Sequence, residues 1–170
     1  MATVGPPPTA GRLAFVTGAK RNSVTGLAGL DQMCQTEANA AGLGKTFLAA
    51  VATTTISIKS RFMLDARPWI RVDGTVIAST GDALFSGAPL RSFINQDAAG
   101  HYQTAVSFIW TGAPNPGSVG TATCADWTSV AASVTGDTGR AGDADPVVVW
   151  NQGTPGGCDQ PGGAILCLEQ

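Results

Sequence analysis

The sequence predicts a single α+β domain with mostly antiparallel strands, one main helix and a long loop region stapled by a disulfide. Three observations support this fold class: one amphipathic helical pattern, several short segments rich in strand formers, and a turn-rich interval at 111–163 that contains two of the four cysteines. A chain of 170 residues suits one domain. We place this domain at residues 13–170, after an extended lead-in or linker end at residues 1–12.

The first elements are a strand and the main helix. Residues 12–19 (RLAFVTGA) predict a strand. Apolar residues then recur at spacings of four, four and three, at Leu30, Cys34, Ala38 and Ala41. This period predicts a helix from about Leu27 to Ala41, with Gly42 as its stop. Cys34 is therefore expected to face the core.

Strands and one tight hairpin follow. Residues 46–58 (TFLAAVATTTISI) are rich in β-branched residues and predict a strand, and KSRF at 59–62 predicts one helical turn. Asp73-Gly74 lies between two runs of strand formers in residues 68–79, which predicts a hairpin with a type I′ turn. Further strands are predicted at 105–110 (AVSFIW), 147–150 (VVVW) and 164–169 (AILCLE).

The interval 111–163 differs in composition from the rest of the chain. It holds 16 Gly and Pro among 53 residues, with only one short strand signal. So long a stretch without regular structure inside a compact domain is usually functional or disordered. Two cysteines within it argue against disorder. We therefore expect this long loop region to carry the function, with a decorative insertion as the alternative.

Composition and charge exclude several classes of function. Apolar residues make up 44% and charged residues 13% of the chain, which excludes a charge-driven disordered protein. The net charge is −2 and the basic residues are scattered, so no nucleic-acid partner is expected. The apolar runs are far shorter than the ~18 residues that span a bilayer. We expect no membrane insertion, and residues 1–12 lack the apolar core of a signal peptide.

The four cysteines, Cys34, Cys124, Cys158 and Cys167, lack the C-x-x-C spacing of zinc sites. The single histidine, His101, completes no familiar Cys/His set. This pattern favours two disulfides and an oxidising compartment, so we expect an extracellular or cell-surface (secreted) protein. Four buried thiols in a cytosolic protein are the alternative.

Several motifs and the order of the elements resemble the C-type-lectin-like fold. The resemblance is closer to the bacterial domain family DUF1554, of unknown function, which is often grouped with endostatin-like domains. It is carried by FVTGA (15–19), GLAGLDQMCQTEANAAGLGKTF (26–47), WIRVDGTVIA (69–78), FIWTGA (108–113), TCADWTS (123–129) and CDQPGGAILCLEQ (158–170). The resemblance implies the disulfides Cys34–Cys167 and Cys124–Cys158, although the sequence alone allows three pairings. It also implies that the first and last strands lie side by side.

In the sugar-binding branch of this fold, two triplets in the long loop ligate calcium and sugar hydroxyls. The nearest matches, Ala113-Pro114-Asn115 and Trp150-Asn151-Gln152, have lost their carboxylates. Calcium prefers six to eight oxygen ligands, usually anionic ones, so we expect no calcium at these positions. Asp137, Asp143 and Asp145 form a second acidic group, which is either a calcium site or a solvated turn.

The sequence contains no recognisable catalytic constellation. His101 is the only imidazole, and neither Ser107 nor Ser118 near it lies in a nucleophile-elbow motif. We therefore expect neither an enzyme nor a bound cofactor.

We expect instead a recognition module that binds a glycan or a surface protein without catalysis. Its candidate contact residues in the long loop region are Asn115, Trp127, Asp143, Asp145, Asn151 and Gln152. Trp127 and Trp150 are expected to flank the inner disulfide as the small core of the loop, or to offer a stacking face for a sugar if they are exposed. The alternative is a structural subunit of a surface filament or particle that associates with copies of itself.

Overall fold

The computed structural model describes residues 11–21, 25–104 and 108–170. Residues 1–10 of the predicted lead-in and 105–107 of the predicted strand 105–110 lie outside the described part. Within it, the chain folds as an α+β domain with one long helix and short strands. Arg12, which the predicted boundary assigns to the lead-in, is the first residue of strand β1.

The strands of the described part form one large sheet and one small pair. Their bounds are β1 (Arg12–Val16), β2 (Phe47–Ala49), β3 (Trp69–Ile70), β4 (Val76–Ala78), β5 (Phe108–Trp110), β6 (Thr135–Gly136), β7 (Thr138–Gly139), β8 (Gly156–Gly157) and β9 (Gly163–Glu169). The large sheet has the order β4-β3-β1-β9-β5-β7, with β2 also paired to β9, and β6 pairs with β8. Among the described strands, β1–β3 and β5–β9 run parallel and the other pairs run antiparallel, so the predicted mostly antiparallel arrangement is confirmed.

Strand β9 lies at the centre of the large sheet. It pairs with β1, β2 and β5, and all seven of its residues are buried. Its side chains alternate between two core clusters: Ala164, Leu166 and Leu168 pack in the first, and Ile165 and Cys167 in the second. Phe15 of β1 lies opposite Cys167, so the predicted pairing of the first and last strands is confirmed.

Helix α1 (Gly26–Ala40) confirms the predicted helix and covers the second core cluster. Leu30, Cys34 and Ala38 are buried in that cluster, at the spacing that the sequence shows. Gly42 follows the helix at φ +70°, a left-handed conformation that glycine adopts without steric cost. The predicted stop is therefore confirmed.

Two disulfides join the cysteine pairs that the resemblance implies. Cys34–Cys167 connects α1 to β9 across 133 residues of sequence, and Cys124–Cys158 closes a separation of 34 residues inside the long loop region. In the chain-entropy model, a loop of the shorter length is worth about 3–4 kcal/mol of stability. The two bonds indicate an oxidising, extracellular type of environment. None of the helices in the described ranges is long and apolar enough to cross a membrane.

The predicted hairpin at 68–79 is present, but its turn is not type I′. Strands β3 and β4 pair antiparallel, and the N–H of Gly74 donates to the carbonyl of Arg71 at 2.9 Å. A type I′ turn needs positive φ at both central residues. Of Asp73 and Gly74, only Gly74 has positive φ, at +83°. The turn is therefore centred on Val72 and Asp73, with Gly74 in the left-handed position that follows.

The prediction of a strand at 147–150 is wrong, because these residues belong to helix α3 (Pro146–Trp150). The carboxylate of Asp145 accepts a hydrogen bond from the N–H of Val147 at 2.9 Å, which caps the helix. Pro146 occupies the first helical position, where its missing N–H costs nothing. These two start signals outweigh the strand preference of three consecutive valines.

The strand predicted at 46–58 is much shorter in the structure, where only β2 belongs to the sheet. The N–H of Ala50 still donates to Leu166 of β9, whereas the N–H of Ala52 donates to Thr111. The chain thus leaves β9 and crosses to the long loop region. The predicted helical turn at 59–62 is confirmed as a 3₁₀ turn, Lys59–Arg61.

We predict that deleting Ile165–Gln170 abolishes cooperative folding, because the deletion removes most of β9 and half of the Cys34–Cys167 bond. Thermal unfolding followed by circular dichroism measures this. The control is deletion of Gln170 alone, which is exposed and lies outside β9. A six-residue deletion variant with an unchanged melting temperature would refute the central role of β9.

Candidate functional site

A surface groove, which we call the proline groove, lies between the long loop region and earlier parts of the chain. Its volume is about 330 Å³. Its walls and floor are mainly Pro114, Pro116, Pro146, Phe85, Val147 and Trp150, and its polar side chains are Lys59, Ser86 and Asn115. A concave site with mostly apolar lining and a few polar groups is typical of a ligand site.

Two stacked aromatic rings form the floor of the proline groove. The rings of Phe85 and Trp150 lie 5.6 Å apart between centroids at an interplanar angle of 20°. Phe85 ends the 3₁₀ turn Asp82–Phe85, and Trp150 ends α3. The indole N–H of Trp150 donates to the carbonyl of Leu84 at 3.2 Å. The relative exposures of Phe85 and Trp150 are 7% and 2%, so little of either ring is accessible in the groove.

One wall of the proline groove is a turn at Pro114-Asn115-Pro116. The Oδ1 atom of Asn115 accepts hydrogen bonds from the N–H of Gly117 and the hydroxyl of Ser118, both at 3.1 Å. The N–H of Lys59 donates to the carbonyl of Pro116 at 2.8 Å. These bonds hold the wall in one conformation, as side chains of Asn commonly do in turns.

Charged side chains line the rim of the groove. The ammonium of Lys59 lies 2.6 Å from a carboxylate oxygen of Asp82, and both side chains are exposed. Asp145 is also exposed and caps α3 directly beside Val147 of the lining. Asp143 accepts a hydrogen bond from the N–H of Asp145 at 2.9 Å. Lys59 and Asp82 are thus paired with each other, and the carboxylate of Asp145 lies beside Val147.

The structure brings only part of the predicted contact set to this groove. Asn115 lines it and Asp145 lies at its edge, with Asp143 bonded behind Asp145. Asn151 instead accepts a hydrogen bond from the N–H of Gly153 at 2.7 Å. The amide nitrogen of Gln152 donates to the Thr138 hydroxyl at 2.6 Å. Asn151 and Gln152 thus take part in local bonds outside the groove lining.

Trp127 lies in the core and offers no exposed face to a ligand. It is fully buried, and its indole N–H donates to the carbonyl of Ala52 at 2.8 Å. It packs in the same cluster as the inner disulfide and Trp110, as predicted for Trp127. The prediction that Trp150 also flanks this disulfide is wrong, because Trp150 packs in the other cluster on Phe85.

The inner disulfide begins in one turn of left-handed helix, α2 (Cys124–Trp127). All four residues have φ between +51° and +68°. Such a conformation costs roughly 1–2 kcal/mol for each residue that has a Cβ atom. The surroundings must therefore hold this turn in place, and the long loop region contains more regular structure than predicted.

Asp126 connects this left-handed turn to the segment after β2. Its carboxylate accepts hydrogen bonds from the N–H and the hydroxyl of Thr54, both at 2.8 Å. The hydroxyl of Thr123 donates to the same carboxylate at 3.1 Å and accepts a hydrogen bond from the N–H of Asp126 at 3.0 Å. Burial favours a higher pKa for Asp126, but the bonds from Thr54 and Thr123 outweigh it and lower the pKa. The charged carboxylate is thus part of what holds the loop.

The predicted acidic group does not converge on one ion. Across the described ranges, no three His, Cys, Asp or Glu side chains are placed to share a metal. Asp137 is 6% exposed, its Oδ2 atom has no hydrogen-bond partner, and burial raises its pKa. Asp143 and Asp145 form the turn and cap bonds described above, so the three carboxylates have separate structural settings.

The described residues that were considered for catalysis have separate structural settings. His101 is exposed, with Nδ1 3.3 Å from a carboxylate oxygen of Asp97. Ser118 supports the Asn115 turn. Ser107 lies outside the described residues.

No protein-family model and no curated protein matches the chain.

Sequence reasoning missed Lys59 and Phe85 as lining residues, since both precede the long loop region. The only sequence signal for Lys59 was the short helical pattern at KSRF (59–62), which says nothing about what the turn contacts, and Phe85 lies outside that pattern.

A separate polar network surrounds the β3–β4 hairpin. The carboxylate of Asp73 accepts hydrogen bonds from the N–H of Thr75 at 2.9 Å, from Arg71 at 2.8 Å and from Gln96 at 2.9 Å. Burial favours a higher pKa for Asp73, but the bonds from Thr75 and the charge of Arg71 outweigh it and lower the pKa from 3.8 to about 2. The folded state therefore prefers the ionised carboxylate.

We predict that Asp73→Asn lowers the melting temperature at neutral pH and that the difference from the natural chain shrinks as the pH falls from 3.8 to about 2. The sign follows because a lowered pKa stabilises the fold only where the carboxylate is ionised. The control is Asp159→Asn, which changes an exposed carboxylate. A pH-independent difference for Asp73→Asn would contradict the assigned network.

We predict that Ala125→Gly raises the free energy of unfolding by about 1 kcal/mol, because glycine removes the Cβ penalty at φ +53°. Ala125 is exposed, so the change leaves no cavity. Urea denaturation measures the difference. Ala131→Gly is the control, since Ala131 is exposed and has no positive φ, and it should be neutral or destabilising. Equal destabilisation by both variants would contradict the left-handed turn.

Proposed function

We propose that this chain is a C-type-lectin-like recognition module of an extracellular or surface-associated protein, which binds a glycan or a protein partner through the long loop region without catalysis. The observation that carries the proposal is the proline groove, most of which is built by that region. The described residues around the groove supply contact surface and a few polar groups, which is the composition of a binding site.

The rigidity of the long loop region supports this proposal. Cys124–Cys158, the buried Trp127 and the Asp126–Thr54 bonds fix the region on the sheet. A loop held on a rigid scaffold binds with a smaller loss of conformational entropy than a free loop does. The two disulfides support the proposed extracellular location, because such bonds persist in oxidising compartments.

Self-association is the second candidate function, in which the chain is an assembly subunit of a surface filament or particle. The observation that favours it is the set of exposed apolar side chains, notably Met63 at 75% and Val147 at 68% exposure. A stable homotypic interface buries about 800 Å² on each partner. Isolated exposed side chains do not provide an interface of that area, so recognition of another molecule is the better supported hypothesis.

Binding screens test the proposal. The full chain is applied to a glycan array and to a panel of immobilised surface proteins, each with calcium and with a chelator, and sedimentation measures self-association. We expect a saturable ligand whose binding is weakened by Asn115→Ala or by Asp145→Asn but not by Asp73→Asn on the hairpin. Binding weakened by the hairpin variant alone would move the site away from the long loop region.

A further inference from the structure

We propose that the proline groove receives one bulky apolar side chain from an extended segment of a partner protein, with a basic residue of that segment against the carboxylate of Asp145 at the rim. This inference rests on the proposed recognition function and names its partner as a protein segment rather than a glycan. It follows from three features of the groove: its lining, its stiffness and its charge.

The lining favours an apolar side chain over a sugar. A sugar ring needs several hydrogen-bond partners, because polar groups that lose water without replacement cost free energy. In the groove, Asn115 Oδ1 already accepts two hydrogen bonds, and the ammonium of Lys59 is paired with Asp82. A sugar also stacks on an open aromatic face, whereas Phe85 and Trp150 are only 7% and 2% exposed. What the groove offers is apolar contact.

The groove is already shaped before any partner arrives. Pro114, Pro116 and Pro146 have a fixed φ angle, so these walls have little backbone freedom to lose on binding. Val147 on the first turn of α3 is 68% exposed, so its side chain is available to pack against an inserted side chain. A rigid pocket that buries one anchor side chain is how protein interfaces commonly concentrate their binding energy.

The charge at the rim selects the neighbouring residue of the partner. Asp82 and Asp145 are both exposed beside the lining, and Lys59 is the single cationic side chain among the lining residues that the structure describes. Because Lys59 is paired with Asp82, the charge that remains beside Val147 is the carboxylate of Asp145. A Lys or Arg next to the inserted side chain complements this charge, whereas an Asp or Glu is repelled.

Selection from a library of random linear peptides displayed on phage tests the inference with the full chain as bait. We expect enriched peptides in which a bulky apolar residue lies beside Lys or Arg. Fluorescence anisotropy of the enriched peptide then measures affinity for variants of the chain. Added salt should weaken binding, because the rim charges are exposed.

Matched variants locate the bound peptide. Val147→Ser should weaken binding about tenfold, because it removes an apolar wall. Val119→Ser is the control: Val119 is an exposed valine of the same loop region, 47% exposed, that does not line the groove. Asp145→Asn keeps the helix cap, removes the charge, and should weaken binding by about twofold to fivefold while reducing its salt dependence.

Each other outcome overturns the inference. Peptides without the apolar–basic pattern, peptides that bind Val147→Ser and Val119→Ser equally, or no enrichment at all would each refute it. A glycan whose binding Val147→Ser weakens would make the groove a sugar site, so the inference would fail while the proposed recognition function remained. If no glycan, surface protein or peptide binds the chain at all, the proposed function fails as well.

Discussion

The burial of β9 on both faces is the constraint on which the rest of the structure depends. Because successive side chains of a strand point to opposite faces, a strand with both faces apolar needs a cover on each. Helix α1 covers one face and is bonded to it through Cys34–Cys167. The other face packs against the cluster that contains Trp69, Phe85 and Trp150. Trp150 of the long loop region thus belongs to the cover of β9, and the loop region is part of the core.

Because the long loop region is part of the core, the domain tolerates an energetically unfavourable backbone conformation within it. The left-handed turn Cys124–Trp127 carries a penalty of roughly 1–2 kcal/mol per residue, which few local contacts could offset. The side chains of Cys124 and Trp127 gain burial on the helix side of the sheet, and the disulfide of Cys124 restricts the unfolded chain. The turn also places Asp126 beside Thr54, so that the segment after β2 and the long loop region hold each other.

The proline groove lies where α3, the 3₁₀ turn that ends at Phe85 and the Pro114–Pro116 turn meet. Its floor residues are core residues of the first cluster, so the groove has the stiffness of the core beneath it. The exposed groups, Val147 and the carboxylates of Asp82 and Asp145, are free to contact a partner without disturbing that core. The proposed recognition would thus use exposed atoms of elements whose buried atoms form the core, and the Asp145 carboxylate would also keep its role as the cap of α3.

The sequence by itself determined the α+β class, helix α1 with its glycine stop, the hairpin and the last strand, because period, β-branched runs and turn residues are local signals. The resemblance added the disulfide pairing. Only the tertiary structure decided that 147–150 is helical, that Trp127 is buried while Trp150 floors a groove, and that Lys59 and Phe85 join Asn115 there. Local sequence encodes which residues prefer burial or a turn. It does not encode which distant segments meet, because that depends on how all the apolar faces are covered at once.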